Sequence, residues 1–143
     1  MIPEEGSRGP GRDAPPLRTR TVLDFMQVAA GDYLRGRVEV SVGPWKTPLA
    51  VEWGEPNPGG ICRQGEADPI GWFRMPIAGV GRWGTLEPGR PIRVVALVGT
   101  SPLAGSGPIT VPPGVYQVVV PLELQIDGRK TRLTALGPLV RVV

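Results

Sequence analysis

The sequence predicts an all-β fold: an antiparallel β-sandwich or small β-barrel of about seven to nine short strands, with an extended N-terminal arm. Two observations support this prediction. Apolar and polar residues alternate in several runs, as they do in strands with one buried face. The chain also contains 21 glycines and 18 prolines among its 143 residues. They lie between those runs, where they mark turns.

The first twenty residues are predicted to form the arm, because they offer almost nothing to a hydrophobic core. Residues 1–20 contain four prolines, three glycines and seven charged side chains. Such a segment becomes ordered by docking on a partner rather than by folding alone. We therefore divide the chain into an arm, residues 1–20, and a single β domain, residues 21–143. A domain of that length can bury a core without a disulfide or a metal ion.

The first segment of the domain has two interpretations. Thr21 and Asp24 fit the capping box of a helix, and the apolar residues up to Ala30 can be placed at helical spacing. A strand from Thr21 to Val28 fits the same residues. We favour the strand, because the rest of the chain has strand-like patterns.

The middle of the chain alternates between predicted strands and long loops. The strands are predicted over residues 34–42, 48–53, 70–80 and 91–99. Residues 91–99 are apolar at both parities, which indicates a central strand. Loops rich in glycine and proline are predicted over residues 54–69 and 99–114.

The last third of the chain predicts a long β-hairpin. Asp127-Gly128 favours a two-residue type I′ turn, because both turn positions require positive φ. That turn sets the register of the hairpin. The predicted pairs are Ile126 with Arg129, Leu124 with Thr131, Leu122 with Leu133, and Val120 with Ala135. Gly137-Pro138 then favours a β-bulge, and the polar tip of the hairpin is expected to project into solvent or onto a partner.

The start of this hairpin resembles the penultimate strand of immunoglobulin-like sandwiches. Pro113-Gly114-Val115-Tyr116 precedes a long alternating strand. The resemblance implies a tyrosine corner at Tyr116, in which the hydroxyl donates to a backbone carbonyl upstream.

The composition argues against an enzyme. The chain has no histidine and one cysteine, Cys62. It therefore lacks the commonest general base and has neither a disulfide framework nor a CxxC metal site. The acidic residues are scattered, and no phosphate-binding loop or calcium loop occurs. We expect no catalytic residue, no cofactor and no metal. No apolar run is long enough for a transmembrane helix, and the N-terminus shows no secretory signal, so no membrane partner is expected.

Two features keep a carbohydrate- or nucleic-acid-binding β module as the alternative. Fourteen of the sixteen basic residues are arginines, and the formal net charge is +3. Four tryptophans are predicted at strand ends or in loops, where coplanar rings could bind carbohydrate. Acidic residues dilute the arginines of the arm, so nucleic acid is not expected as a partner.

The whole-chain plan of arm, rigid β body and long loops resembles the decoration (cement) proteins of tailed-phage capsids. The resemblance implies a non-enzymatic structural protein of the virion, a homo-oligomer such as a trimer, bound to the major capsid protein or other virion subunits. The arginine-rich, proline-rich composition also fits a thermophilic source. Two groups of partner-binding residues are expected. Those of the arm are Ile2, Arg8, Arg12, Leu17, Arg18 and Arg20. Those of the hairpin tip are Arg129, Lys130 and Arg132.

Overall fold

The protein was analysed as a computed structural model that describes residues 14–103 and 110–143. These residues form eleven strands and no helix. The strands are β1 (Leu17–Leu23), β2 (Gln27–Val28), β3 (Tyr33–Val42), β4 (Leu49–Glu55), β5 (Asn57–Cys62), β6 (Pro69–Trp72), β7 (Val80–Leu86), β8 (Ile92–Gly99), β9 (Ser101–Pro102), β10 (Gly114–Ile126) and β11 (Arg129–Val142). The predicted all-β class is confirmed.

All eleven strands belong to one hydrogen-bonded sheet that curls on itself. Its main path runs β1-β3-β8-β5-β10-β11-β2, and most pairs are antiparallel. β4 pairs with the second half of β10 and carries β7, whereas β6 and β9 extend from β5. The curl brings β1 into contact with β11, near the other end of the path. The arrangement is a curled half-barrel with two broad outer faces.

The hydrophobic core fills the inside of the curl. Alternation in β3 turns Leu34, Val38, Val40 and Val42 inward, and alternation in β10 does the same for the even-numbered residues from Tyr116 to Ile126. Burial of these aliphatic side chains is the main favourable contribution to folding. The intervening side chains point outward and form the surfaces described below.

The C-terminal hairpin has the predicted register. All four predicted pairs are present, and Asp127 and Gly128 have φ of 48° and 80°. A bulge at residues 137–138 shifts the register opposite Val118, where we expected it. The Tyr116 hydroxyl donates to the Pro112 carbonyl at 2.6 Å, which is the predicted tyrosine-corner contact.

Several predicted boundaries in the first two thirds of the chain are wrong. β5 lies inside the predicted loop 54–69, because the glycines at its centre allow close packing against β6 and β10. The predicted strand 70–80 is only the short β6, and β7 follows from Val80 onward. β1 begins at Leu17, so the predicted division at residue 20 falls within a strand. The segment after it is extended and non-helical, with β2 reduced to two residues. The predicted strand 91–99 is the interior strand β8, although one of its faces is only half-buried.

Cys62 ends β5 and is buried, 3% exposed. Its Sγ lies 3.8 Å from the Ala67 carbonyl oxygen. Burial raises the pKa of this thiol, and the nearby carboxylates of Asp68 and Glu66 raise it further. The thiol is therefore protonated at neutral pH and is a weak nucleophile in the folded protein.

Candidate functional site: two outer faces of the sheet

The outer face of β1, β3 and β8 is dominated by arginine. Antiparallel pairing places Arg20 and Arg93 on either side of Glu39. Arg37 and Arg35 precede Glu39 on β3 with the same parity, and Arg18 precedes Arg20 on β1. We call this set the arginine face: Arg18, Arg20, Arg35, Arg37, Glu39 and Arg93. Five guanidinium groups against one carboxylate give it a formal charge of +4, although the whole chain carries only +3.

Glu39 shows how this face binds a carboxylate. Its Oε1 lies 3.5 Å from Arg20 Nη1, and its Oε2 lies 3.2 Å from Arg37 Nε and 3.7 Å from Arg93 Nε. Glu39 is 15% exposed, whereas the three arginine side chains are between 42% and 76% exposed. One carboxylate thus holds three guanidinium groups side by side, and most of their positive charge faces solvent.

The outer face of β7, β4, β10 and β11 has a different character. Register places Trp83 opposite Glu52, Glu52 opposite Gln125, and Gln125 opposite Lys130. Paired residues in adjacent strands point to the same side. These side chains therefore form one row across four strands, about 14 Å long. Trp83 is 81% exposed, more than any other large hydrophobic side chain in the described residues.

A shallow depression lies beside this row. Gly54 and Gly81 are paired and have no atom within 4 Å of the position a Cβ would occupy. The depression has a volume of about 390 Å³, and Trp83, Glu52 and Gln125 are among its lining residues. Glu123 borders it and pairs with Arg132 at 3.4 Å and Lys130 at 3.8 Å. We call this set the tryptophan face: Glu52, Gly54, Gly81, Trp83, Glu123, Gln125, Lys130 and Arg132. Two carboxylates balance two cations, and Arg82, which also lines the depression, is paired with Glu55, so the formal charge of this surface is zero.

Glu55 connects the two faces. Its carboxylate accepts hydrogen bonds from Trp53 Nε1 at 3.1 Å, from the Val95 amide at 3.0 Å and from Arg82 Nε at 3.1 Å. Glu55 thereby links β4 and β7 to β8. β7 carries Trp83 of the tryptophan face, and β8 carries Arg93 of the arginine face. Burial acts to raise the pKa of Glu55, but these hydrogen bonds and the charge of Arg82 outweigh it, so the pKa lies below its ordinary value of 4.5.

A third surface, at the end of β2 and β11, is apolar. We call it the apolar end; its exposed side chains are Phe25, Met26 and Val143. Phe25, Met26 and Val143 line one open depression of about 540 Å³. Exposed apolar side chains that are clustered in this way favour association with another protein, because association removes their surface from water.

The structure brings only some of the predicted partner-binding residues together. Arg18 and Arg20 lie on the arginine face, whereas Leu17 is half-buried and packs against the core. Ile2, Arg8 and Arg12 lie outside the described residues. Arg35, Arg37 and Arg93 were not predicted from the sequence as members of the same face. The alternation of β3 could have predicted Arg35 and Arg37. Arg93 joins the face only through the pairing of β3 with β8, which the sequence did not indicate.

The hairpin tip is exposed, and its turn is attached to its own domain. Asp127 donates its backbone N–H to the Ala50 carbonyl at 2.8 Å, and its Oδ1 accepts the Ala50 N–H at 3.0 Å. The turn is therefore fixed to β4 of its own domain. Lys130 and Arg132 pair with Glu123, while Arg129 is exposed without an ion pair in the described part of the chain.

Two further observations apply to residues 14–103 and 110–143. No group of three histidine, cysteine, aspartate or glutamate side chains is arranged to hold a metal ion. No helix there has the length and apolar character needed to cross a membrane.

Comparison with known proteins adds one distant structural neighbour. No protein-family model matches the sequence, and no curated protein matches it. Spo0M, a sporulation control protein from Bacillus subtilis, resembles the structure with a TM-score of 0.42 at 18% sequence identity. The match covers 90% of this chain and 50% of Spo0M, so the chain spans about half the length of that neighbour.

Proposed function

We propose that this chain is a non-enzymatic structural protein that docks through its arginine face on an acidic protein surface of a larger assembly. The concentration of charge carries the proposal: five of the chain's sixteen basic residues lie on one face of three adjacent strands. Arginine is suited to this role, because its planar group binds carboxylates in pairs of hydrogen bonds and is more weakly hydrated than lysine.

Carboxylates are favoured over nucleic acid bases as the ligands of this face. Glu39 already provides an example, with three arginines within 3.7 Å of its oxygens. The side chains between the arginines are aliphatic, Val22, Val95 and Leu97, and cannot stack on bases. Tyr33, at the end of the face, has its ring in edge contact with Phe73, 5.1 Å between centroids. Single-stranded nucleic acids require stacking platforms in addition to charge.

The specific form of the proposal is a capsid decoration protein. The acidic surface would then belong to a major capsid protein or another virion subunit, and the protein would act in the virion as a homo-oligomer such as a trimer. The apolar end supports self-association, because it offers a surface that neighbouring copies can bury.

Rebinding to native particles tests the proposal. Particles that contain the chain are purified from the source, stripped of it with mild denaturant and mixed with recombinant protein. We expect the unchanged chain to rebind and the double variant Arg18→Glu/Arg93→Glu to fail. Arg63→Glu/Arg74→Glu is the matched control, because it makes the same change in net charge at two exposed arginines outside the arginine face and the hairpin tip.

Two results would overturn the proposal. One is a native chain that fractionates only as a 15 kDa monomer. The other is an Arg18→Glu/Arg93→Glu variant that rebinds as well as the control variant Arg63→Glu/Arg74→Glu. The protein could also bind tightly to duplex DNA and not at all to immobilised poly-L-glutamate. That result would mean that the partner is a nucleic acid and not an acidic protein.

A further inference from the structure

We propose that the tryptophan face is a binding site for an uncharged glycan. This inference does not depend on the docking proposal, since it concerns a different face and a different ligand chemistry. It begins with Trp83. An indole that is 81% exposed on a sheet face leaves apolar area in water that a ligand could cover.

The neighbours of Trp83 select the kind of ligand that could cover the ring. Along the row that starts at Trp83, Glu52 offers hydrogen-bond acceptors, Gln125 offers both acceptors and donors, and Lys130 offers donors. A sugar ring combines an apolar face of C–H groups with hydroxyls at its rim. The C–H face can stack on the indole while the hydroxyls, each a donor and an acceptor, bind the adjacent side chains.

The shape beside Trp83 fits a ring lying flat on the sheet. Gly54 and Gly81 leave the sheet without side chains directly next to the indole. The resulting depression is shallow and open, and the row of polar groups continues for about 14 Å across four strands. An oligosaccharide could therefore contact several strands, with its units placed along the row.

The charge of the face argues for an uncharged ligand. Its two carboxylates and two cations cancel, and Glu123 is already paired with Lys130 and Arg132. Glu52, next to the indole, forms no ion pair in the described residues, so it would repel a phosphate or sulfate placed on Trp83. It is free to accept hydrogen bonds from hydroxyls.

Affinity electrophoresis with named soluble polysaccharides tests the inference. The probes are a β-glucan, an α-glucan, a mannan and a xylan, each cast into a native gel. We expect at least one of them to retard the unchanged protein. Trp83→Ala should weaken that binding at least tenfold, because it removes the stacking surface. Glu52→Gln should weaken it by a smaller factor, since the amide retains one acceptor.

Met75→Ala is the control, because Met75 is also a large exposed hydrophobic residue, 55% exposed, but lies outside the tryptophan face and the apolar end. It should bind the polysaccharide like the unchanged protein. The inference is overturned if none of the four polysaccharides retards the protein, or if Trp83→Ala and Met75→Ala reduce retardation equally. It is also overturned if Trp83 is needed only for self-association in sedimentation velocity, or only for binding a DNA oligonucleotide.

Discussion

The arginine face and the tryptophan face are built in the same way but differ in charge and in side-chain type. Both are outer faces of paired strands, with side chains set in rows by antiparallel register. The first carries five arginines and one glutamate; the second has a formal charge of zero and one exposed indole. The difference shows that strand pairing sets the spacing of the outward side chains, while the residue types at those positions set the chemistry of each face. Five experiments test this comparison of the two faces, from the largest expected effect to the smallest.

The largest effect on stability is expected from substitution of Glu55, which links the two faces. Glu55→Ala removes the acceptor of the Trp53 indole N–H and the Val95 amide, and leaves Arg82 without its partner. Buried donors left without acceptors are costly, so the free energy of unfolding should fall by about 3 kcal/mol. Urea unfolding measures this loss. A loss no larger than that of the surface variant Glu52→Ala would contradict the role assigned to Glu55.

The same carboxylate gives a pH dependence of known sign. The pKa of Glu55 is lowered in the folded protein, so its contribution to stability is present above its ordinary value of 4.5. That contribution is lost as the pH falls through the lower folded-state value. Between pH 6 and pH 3, Glu55→Gln should therefore lose less stability than the unchanged protein. Unfolding curves across this range provide the measurement, and parallel losses would contradict the prediction.

Charge reversal should separate the two faces. Arg18→Glu/Arg93→Glu changes the formal charge of the arginine face from +4 to 0. Retention on immobilised poly-L-glutamate should weaken at least tenfold, about 1.4 kcal/mol. Polysaccharide retardation should remain as it was, because no residue of the tryptophan face has changed. Loss of both activities together would show that the faces are not independent.

Salt should distinguish the faces without any mutation. Exposed charge interactions are screened within about 8 Å at physiological ionic strength. Binding to poly-L-glutamate should therefore weaken steadily between low and physiological salt, whereas polysaccharide binding should change little. A biosensor titration against sodium chloride measures both. Equal salt dependence would contradict the division of charge between the faces.

The smallest effect is expected from Trp83→Ala on stability. Trp83 is 81% exposed, so its removal should change the free energy of unfolding by less than about 0.5 kcal/mol. Trp53→Ala is the contrasting variant, because Trp53 is half-buried and packs against the core. Thermal unfolding compares them; equal losses would mean that Trp83 supports the fold rather than a ligand.

Local patterns predicted the C-terminal third of the fold well. The Asp127-Gly128 turn determines its own register, and the alternation of β10 determines which residues enter the core. β5 could not be predicted in this way. Its sequence, NPGGIC, lacks alternation, and it is a strand because β8, β10 and β6 surround it. Tertiary pairing there overrides the local preference of glycine and proline for turns.

The candidate faces were predicted only in part for the same reason. Arg18 and Arg20 were expected to contact a partner, but the arginines they join are on strands distant in sequence. Trp83 was noted as a tryptophan at a strand end or in a loop. Its exposure depends on the pairing of β7 with β4, which the sequence did not reveal.

The buried thiol of Cys62 gives the protein a natural reporter of its own opening. It is the only cysteine of the chain, and both its burial and its raised pKa protect it while β5 stays paired. Its reaction with an aromatic disulfide reagent would therefore be limited by the transient exposure of β5, at the centre of the sheet. The labelling rate would report how often that centre of the sheet opens in the unmodified protein.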